Sequence, residues 1–230
     1  MAAGICVNGS QWMRENEEGY PFARGVSAAP VVPASVLSRL HDDLPVVYPT
    51  STLPGLGCLP NAKALDALFA CKARDSLKVV SLGVASLEQA ETLVHVDAEA
   101  RAILDAFPRG SLTLVLPARE TLDARLGGDG VAIRLLAHPA AIALATAVGP
   151  ITATSANLSG IAPTADCTLA AQQLDLPEEA VLVGDCPGGA PSTLIGQNFP
   201  PYTSAAERWR IIREGIVPRQ EMEAWSMSRT

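Results

Sequence analysis

Residues 46–58 read VVYPTSTLPGLGC: an apolar run stops at Pro49, and three hydroxyl residues, a second proline and two glycines follow. Valine and tyrosine suit a buried strand, and proline donates nothing to a ladder, so a strand is expected to end at Pro49. Thr50 and Thr52 offer hydroxyls, while Gly55 and Gly57 leave backbone that a ligand or another segment can approach. Two readings stay open on this stretch alone. It is a Pro-Gly turn whose hydroxyls satisfy nearby backbone, or it is the mouth of a site at the end of a strand, where α/β sheets bind ligands. It matches neither a Walker A loop nor GxGxxG, so neither a P-loop nor a dinucleotide fold is expected.

Outward from this stretch the chain alternates. A helix is expected at 34–43 (ASVLSRLHDD), then the strand 45–50, then a helix at 61–74 (NAKALDALFACKAR), where Leu65, Leu68, Phe69 and Lys72 recur at helical spacing. A strand at 78–84, helical segments at 86–94 and 98–107, and strands at 111–118 and 130–137 follow. Next come a helix at 138–149, a short strand at 150–154, the loop SANLSG at 155–160 and a helix around 167–174. Strands then cluster late, at 180–185, 191–196 and 208–214. Strands alternating with helices early and clustering late predict an α/β fold, a twisted mixed sheet with flanking helices. Residues 1–32 show no period and read as an N-terminal extension, 33–216 as the folded domain and 217–230 as a C-terminal tail.

Composition narrows the function classes. With 230 residues, 48% hydrophobic and 4% aromatic, the chain suits a single core of β-branched strands under alanine-rich helices. A net charge of −7 argues against a surface that grips nucleic acid by its overall field, although a local basic cleft remains compatible with RNA. Cys6, Cys58, Cys71, Cys167 and Cys186 form no CxxC pair and are odd in number. They read as reduced thiols in a cytosolic protein, with neither a zinc site nor a disulfide framework. No run is apolar and long enough to span a bilayer, and no basic stretch precedes AAGICV as a secretory signal requires.

Four further stretches carry candidate chemistry. Lys72 and Arg74, in CKARDSLK, complement a helix C-terminus or form a clamp for phosphate or carboxylate oxygens. In GVAIRLLAHP the period of two sets Val131, Ile133 and Leu135 opposite Ala132, Arg134 and Leu136. Arg134 inside an apolar strand needs a partner, either an internal carboxylate or that of a ligand. ITATSANLSG, residues 151–160, holds Thr152, Thr154, Ser155, Asn157 and Ser159, more than a helix cap uses, and such a density suits phosphate oxygens or hydrated magnesium. CPGGAPSTLIG places Ser192 and Thr193 at the start of a strand.

In this order, YPTSTLPGLGC, KAR, VAIRLLAHP, TSANLSG, APSTLIG and IIREG together resemble the YrdC-like family of threonylcarbamoyl-AMP synthases. The resemblance implies a twisted mixed sheet around a concave, positively charged cavity. It also implies a reaction in which L-threonine, bicarbonate and ATP give threonylcarbamoyl-adenylate and pyrophosphate, for threonylcarbamoyl modification of tRNA adenosine. Carried over by motif, Thr50, Arg134 and Ser192 contact threonine, with Ser81 as a weaker candidate. Lys72 and Arg74 sit on the triphosphate and the carbamate, Ser155 and Asn157 on phosphate and magnesium, and Arg213 near the nucleotide. Lys72, Arg74, Ser155 and Asn157 are the catalytic set, with Lys72 and Arg74 exposed to the cavity. Magnesium is expected to arrive with ATP rather than on protein ligands, and the product to pass to a threonylcarbamoyl-transferase machinery.

The chain departs from the family at Ser51 (usually acidic), Pro54 (usually aromatic), Asp75 and Val79, all around the amino-acid end. The short C-terminus suggests the single-domain type. Three other readings stand beside the synthase: a paralogue that adenylates a carbamoyl group for another acceptor, a non-catalytic protein of the same fold that binds tRNA or double-stranded RNA, and a plain regulatory nucleotide-binding module.

Overall fold

The computed structural model describes residues 30–73, 78–197 and 208–228. Arg74 and Asp75 lie outside the described residues, as does Cys6.

Hydrophobic alternation builds the larger of two sheets. In β4 (Leu112–Pro117) and β5 (Gly130–Leu135), residues Leu112, Leu114, Leu116, Val131, Ile133 and Leu135 are buried in one core cluster. Thr113, Val115, Ala132 and Arg134 point the other way and line a cavity. The strands pair antiparallel with Val115 opposite Ala132, which brings these alternating positions together on one face. The sheet has six strands in the order β6 (Ile151–Thr152), β3 (Leu82–Val84), β5, β4, β8 (Thr193–Gln197), β9 (Trp209–Arg213). The β3–β5 and β4–β8 pairs are parallel and the others antiparallel, so the sheet is mixed, as the late clustering of strands predicts.

A smaller antiparallel sheet joins β1 (Val46–Tyr48), β2 (Gly55–Gly57) and β7 (Thr154–Ser155). Here the structure corrects two expectations. GLG is a strand rather than open loop, with Tyr48 opposite Gly55 and Val46 opposite Gly57. A Cβ at Gly55 would stand 2.7 Å from Cζ of Tyr48, and one at Gly57 2.8 Å from its Cε1. The two glycines therefore make room for the Tyr48 ring, whose hydroxyl donates to the Thr152 carbonyl at 3.0 Å. The expected strand 150–154 is in fact two: β6 belongs to the large sheet and β7 to the small one, with Ala153 alone between them.

A third correction concerns 180–185, which forms no strand. Its pairing is confined to single bridges, Val181 to Val47 and Asp185 to Asp166.

Among the described residues the α-helices are α1 (Ala34–His41), α2 (Ala62–Cys71), α3 (Leu87–Glu91), α4 (Ala98–Ala106), α5 (Pro139–Val148), α6 (Cys167–Gln173) and α7 (Arg219–Met227). Asn61, Ser86, Asp97 and Asp166 each accept an N–H of the first turn, a cap worth about 1 kcal/mol. Leu65 and Leu68 of α2 and Ile103 of α4 pack into the main core with the outer face of β4 and β5. A second cluster holds Val36, Leu40, Tyr48, Leu136, Leu144 and Ile151. In the segment read as a tail, Val217 and Met222 are buried in the main core, so α7 packs on the domain.

Candidate active site

The face of the large sheet that carries Arg134 and the edge of the small sheet enclose a cavity of about 450 Å³. That volume is in the range of small-molecule sites, about 300–1,000 Å³. Among the described residues that line it, the charged ones are Arg134 and Arg213, and none is acidic. Hydroxyls of Thr50, Thr52, Ser81, Thr113, Ser155 and Ser192 supply most of the remaining polarity. This donor set is made for an anion: two guanidinium forks and rotatable hydroxyls, without competing carboxylates.

Arg134 is buried at 8% exposure, so its position is fixed by what it bonds. Its Nε donates to the Gly110 carbonyl at 2.9 Å, and one terminal nitrogen donates to Ser51 Oγ at 3.3 Å and Thr52 Oγ1 at 3.2 Å. The Thr52 hydroxyl continues to Thr50 Oγ1 at 3.3 Å, and Thr50 Oγ1 donates to the Leu53 carbonyl at 2.7 Å. The hydroxyls after Pro49 thus form a chain from the guanidinium to the turn: they satisfy local backbone and also line the cavity. Ser51 meets Arg134 with a neutral oxygen. Beneath them the Tyr48 phenol is fully buried, and burial raises its pKa well above the ordinary value, so it stays neutral.

Ser192 is buried and shares a 2.7 Å hydrogen bond with Thr113 Oγ1. Arg213 donates to the Ser192 carbonyl at 2.7 Å, and burial lowers its pKa from the ordinary value. Ser81 donates to the Ala153 carbonyl at 2.8 Å, at the junction between the sheets. Thr50, Ser81, Arg134, Ser192, Arg213 and Ser155 therefore all face one cavity.

Lys72 does not face it. Its side chain is buried at 2% exposure and is absent from the described lining. The ammonium donates to the backbone carbonyls of Ser155 and Asn157, the latter at 2.5 Å, and Ser159 N–H donates back to the Lys72 carbonyl at 3.2 Å. The expectation that Lys72 is exposed to the cavity is thereby corrected. The helix ends at Cys71, and Lys72 at its C-cap turns inward beneath the loop 155–159. Asn157 is likewise committed to the loop: Oδ1 accepts from Ser155 Oγ at 2.5 Å, and Nδ2 donates to the Leu158 and Ile161 carbonyls. Of this set, Ser155 reaches the cavity.

Thr52, read from the sequence as offering a hydroxyl, lines the site, and Thr113 lines it without having been singled out. Thr113 was findable, since alternation on β4 sets it two positions from Val115 on the face opposite the leucines. Among the described residues no group of three or more His, Cys, Asp or Glu side chains could hold a metal ion. No described helix is long and apolar enough to cross a membrane.

The Sua5/YciO/YrdC family model, described as telomere recombination, matches residues 38–215. A threonylcarbamoyl-AMP synthase of Bacillus subtilis is 33% identical over 199 residues, which cover 83% of this chain and 55% of that one. One from Escherichia coli is 35% identical over 138 residues, covering 56% of this chain and 72% of its own. The chain therefore spans about half the length of the first relative and nearly three quarters of the second. The crystal structure of P. abyssi Sua5 complexed with L-threonine superposes with a TM-score of 0.70 at 29% identity, over 81% of this chain and 55% of that one.

Proposed function

Because the chain belongs to the Sua5/YciO/YrdC family, we propose that its cavity forms threonylcarbamoyl-adenylate and pyrophosphate from L-threonine, bicarbonate and ATP, for tRNA modification. The observation that carries this reading is a cavity with two arginines, a dense set of hydroxyls and no acid among its described lining residues. Two of the three proposed substrates are anions, and the third, threonine, carries a carboxylate.

In this reading Arg134 holds the threonine carboxylate, with Thr50, Thr52, Ser81 and Ser192 around the amino acid. The threonine amine adds to carbon dioxide with loss of a proton, or to bicarbonate with loss of water, and a carbamate oxygen attacks the α-phosphorus while pyrophosphate leaves. Arg213 and the Ser155 hydroxyl stand on the phosphate side, where negative charge spreads in the transfer. Arg74 is assigned to the same side by its motif. No side chain needs to form a covalent intermediate, so orientation and fixed charge supply the acceleration.

Lys72 and Asn157 take a different part from the direct contact expected of them. Lys72 holds the Ser155–Asn157 backbone from behind and sets the Ser155 hydroxyl, while its charge lies close enough to favour an anion at the loop. Magnesium suits the nucleotide rather than this donor set, because hydroxyl and amide oxygens without a carboxylate cage leave it bound through phosphate and water. It would neutralise phosphate charge there.

Pyrophosphate release from magnesium-ATP, with threonine and bicarbonate omitted in turn, tests the reading. Dependence on both is expected; release with neither, or only with another amino acid, overturns it. The second outcome supports a carbamoyl-adenylating paralogue. Membership of a downstream transferase pathway and placement in the cytoplasm belong to the same proposal.

A further inference from the structure

The loop that carries Thr50 is strapped from outside by residues 184–188, and the strap contains a cysteine. Thr50 N–H donates to Cys186 Sγ at 3.4 Å, and Gly188 N–H donates to the Thr52 carbonyl at 2.7 Å. Gly184 lies so close to Pro49 that a Cβ there would be 2.6 Å from the proline Cγ. Opposite the strap, Asp166 and Asp185 form an antiparallel bridge, and Cys167 and Cys186 are the next residues on each side. The bridge therefore sets the two cysteines beside each other where the strap meets the start of α6. Both thiols are free.

Cys167 is buried at 3% exposure, at the first position of α6, whereas Cys186 is half-buried. The pair thus has an accessible member and a sheltered one. The neighbouring Cys167 thiol, with the Thr50 N–H behind it, lowers the Cys186 pKa, and the Cys186 thiol raises that of Cys167.

We propose that Cys167 and Cys186 are a thiol-oxidation site, closing to a reversible disulfide that releases the loop carrying Thr50. The Cys186 thiolate attacks one sulfur of a low-molecular-weight disulfide and expels a first thiolate. Cys167 then attacks Cys186 in the mixed disulfide and expels the second. One S–S bond breaks and one forms; the protein thiols lose two electrons and two protons, and the small disulfide becomes two thiols. Closing the bond turns Cys186 Sγ toward Cys167 and makes it a disulfide sulfur, a poorer acceptor for the Thr50 amide.

The test treats the full chain with oxidised glutathione and maps the products by non-reducing peptide mass spectrometry. A Cys167–Cys186 crosslink, about 2 Da lighter than the free pair and reversed by dithiothreitol, is expected. Hydrogen exchange at the Thr50 amide should rise about tenfold in the oxidised protein, the scale of one lost hydrogen bond. Cys167→Ser should give only the glutathione adduct at Cys186, with exchange in the untreated variant unchanged. A stable adduct on Cys186 with Cys167 left free in the unsubstituted chain overturns the proposal. So does a crosslink through Cys6, Cys58 or Cys71, or a Cys167–Cys186 bond with unchanged exchange at Thr50. Neither readout uses threonine or ATP, so the outcome is separate from that of the catalytic reading.

Discussion

Two loops of small polar residues flank the cavity, 50–54 and 155–161, and each is held by one buried cation. Arg134 meets the first through side-chain hydroxyls at 3.2–3.3 Å, from within the cavity wall. Lys72 meets the second through backbone carbonyls, from behind. Hydroxyls rotate and can exchange partners, so a guanidinium bonded to them can turn donors to a ligand oxygen without leaving its place. Backbone carbonyls are fixed by the chain, and the ammonium that bonds two of them fixes it in return. The same residue class thus binds in one loop and builds in the other.

The sharpest way to break this contrast is to remove Arg134. Arg134→Ala should lower kcat/KM for threonine by about 10²–10³, the cost of about 3–4 kcal/mol for deleting a buried charged donor. A loss in threonine KM smaller than fivefold would mean that the guanidinium only supports the wall. Lys72→Ala should appear first in stability: urea unfolding should show a loss of about 2–3 kcal/mol, since two carbonyls lose a charged donor and stay buried. Lys72→Ala with unchanged stability and abolished turnover would return Lys72 to direct phosphate contact.

Gly110 sharpens the comparison on the Arg134 side. It has φ of +81°, and a Cβ there would sit 2.6 Å from Ser51 Oγ, while its carbonyl receives Arg134 Nε. Gly110→Ala should cost about 1–3 kcal/mol of stability. It should also raise the threonine KM, while an equivalent loss from Lys72→Ala should not depend on threonine.

The smallest effect is one of pH. His138 caps α5, its Nδ1 accepting from Ala140 N–H at 3.1 Å, and its ring borders Gly184 on the strap. Burial lowers its pKa below the ordinary 6.5, so the folded state prefers the neutral ring. The unfolded chain then takes up the proton first, and stability that is present above about pH 6.5 is lost as pH falls through the lower folded value. Thermal unfolding at pH 7 and pH 5 should show this loss, and His138→Asn should reduce it.

Much of the architecture was legible because it follows from periodicity. Alternation in 112–116 and 131–135 set both the core face and the cavity face, and Asn61 ahead of Ala62–Cys71 marked a helix start. The strand Gly55–Gly57 was hidden because glycines signal turns locally, whereas here they answer a ring supplied by Tyr48 across the hairpin. The run 180–185 misled for the opposite reason: apolar residues suggested a ladder, but its neighbours offer only single bridges. Lys72 was the hardest to read. Its place in a Lys-Ala-Arg motif says nothing of direction, which is decided at the C-cap, where the chain turns and Ala73 adopts φ of +45°.

Ala153 carries one last consequence. It is a single residue between a strand of the large sheet and a strand of the small one, and Ser81 grips it twice, accepting its N–H at 2.7 Å and donating to its carbonyl at 2.8 Å. Along the chain, the two halves of the cavity are therefore joined through one residue, so the chain has a fixed length there, and no spare residue can be added or removed without setting Thr152 and Ser155 out of phase.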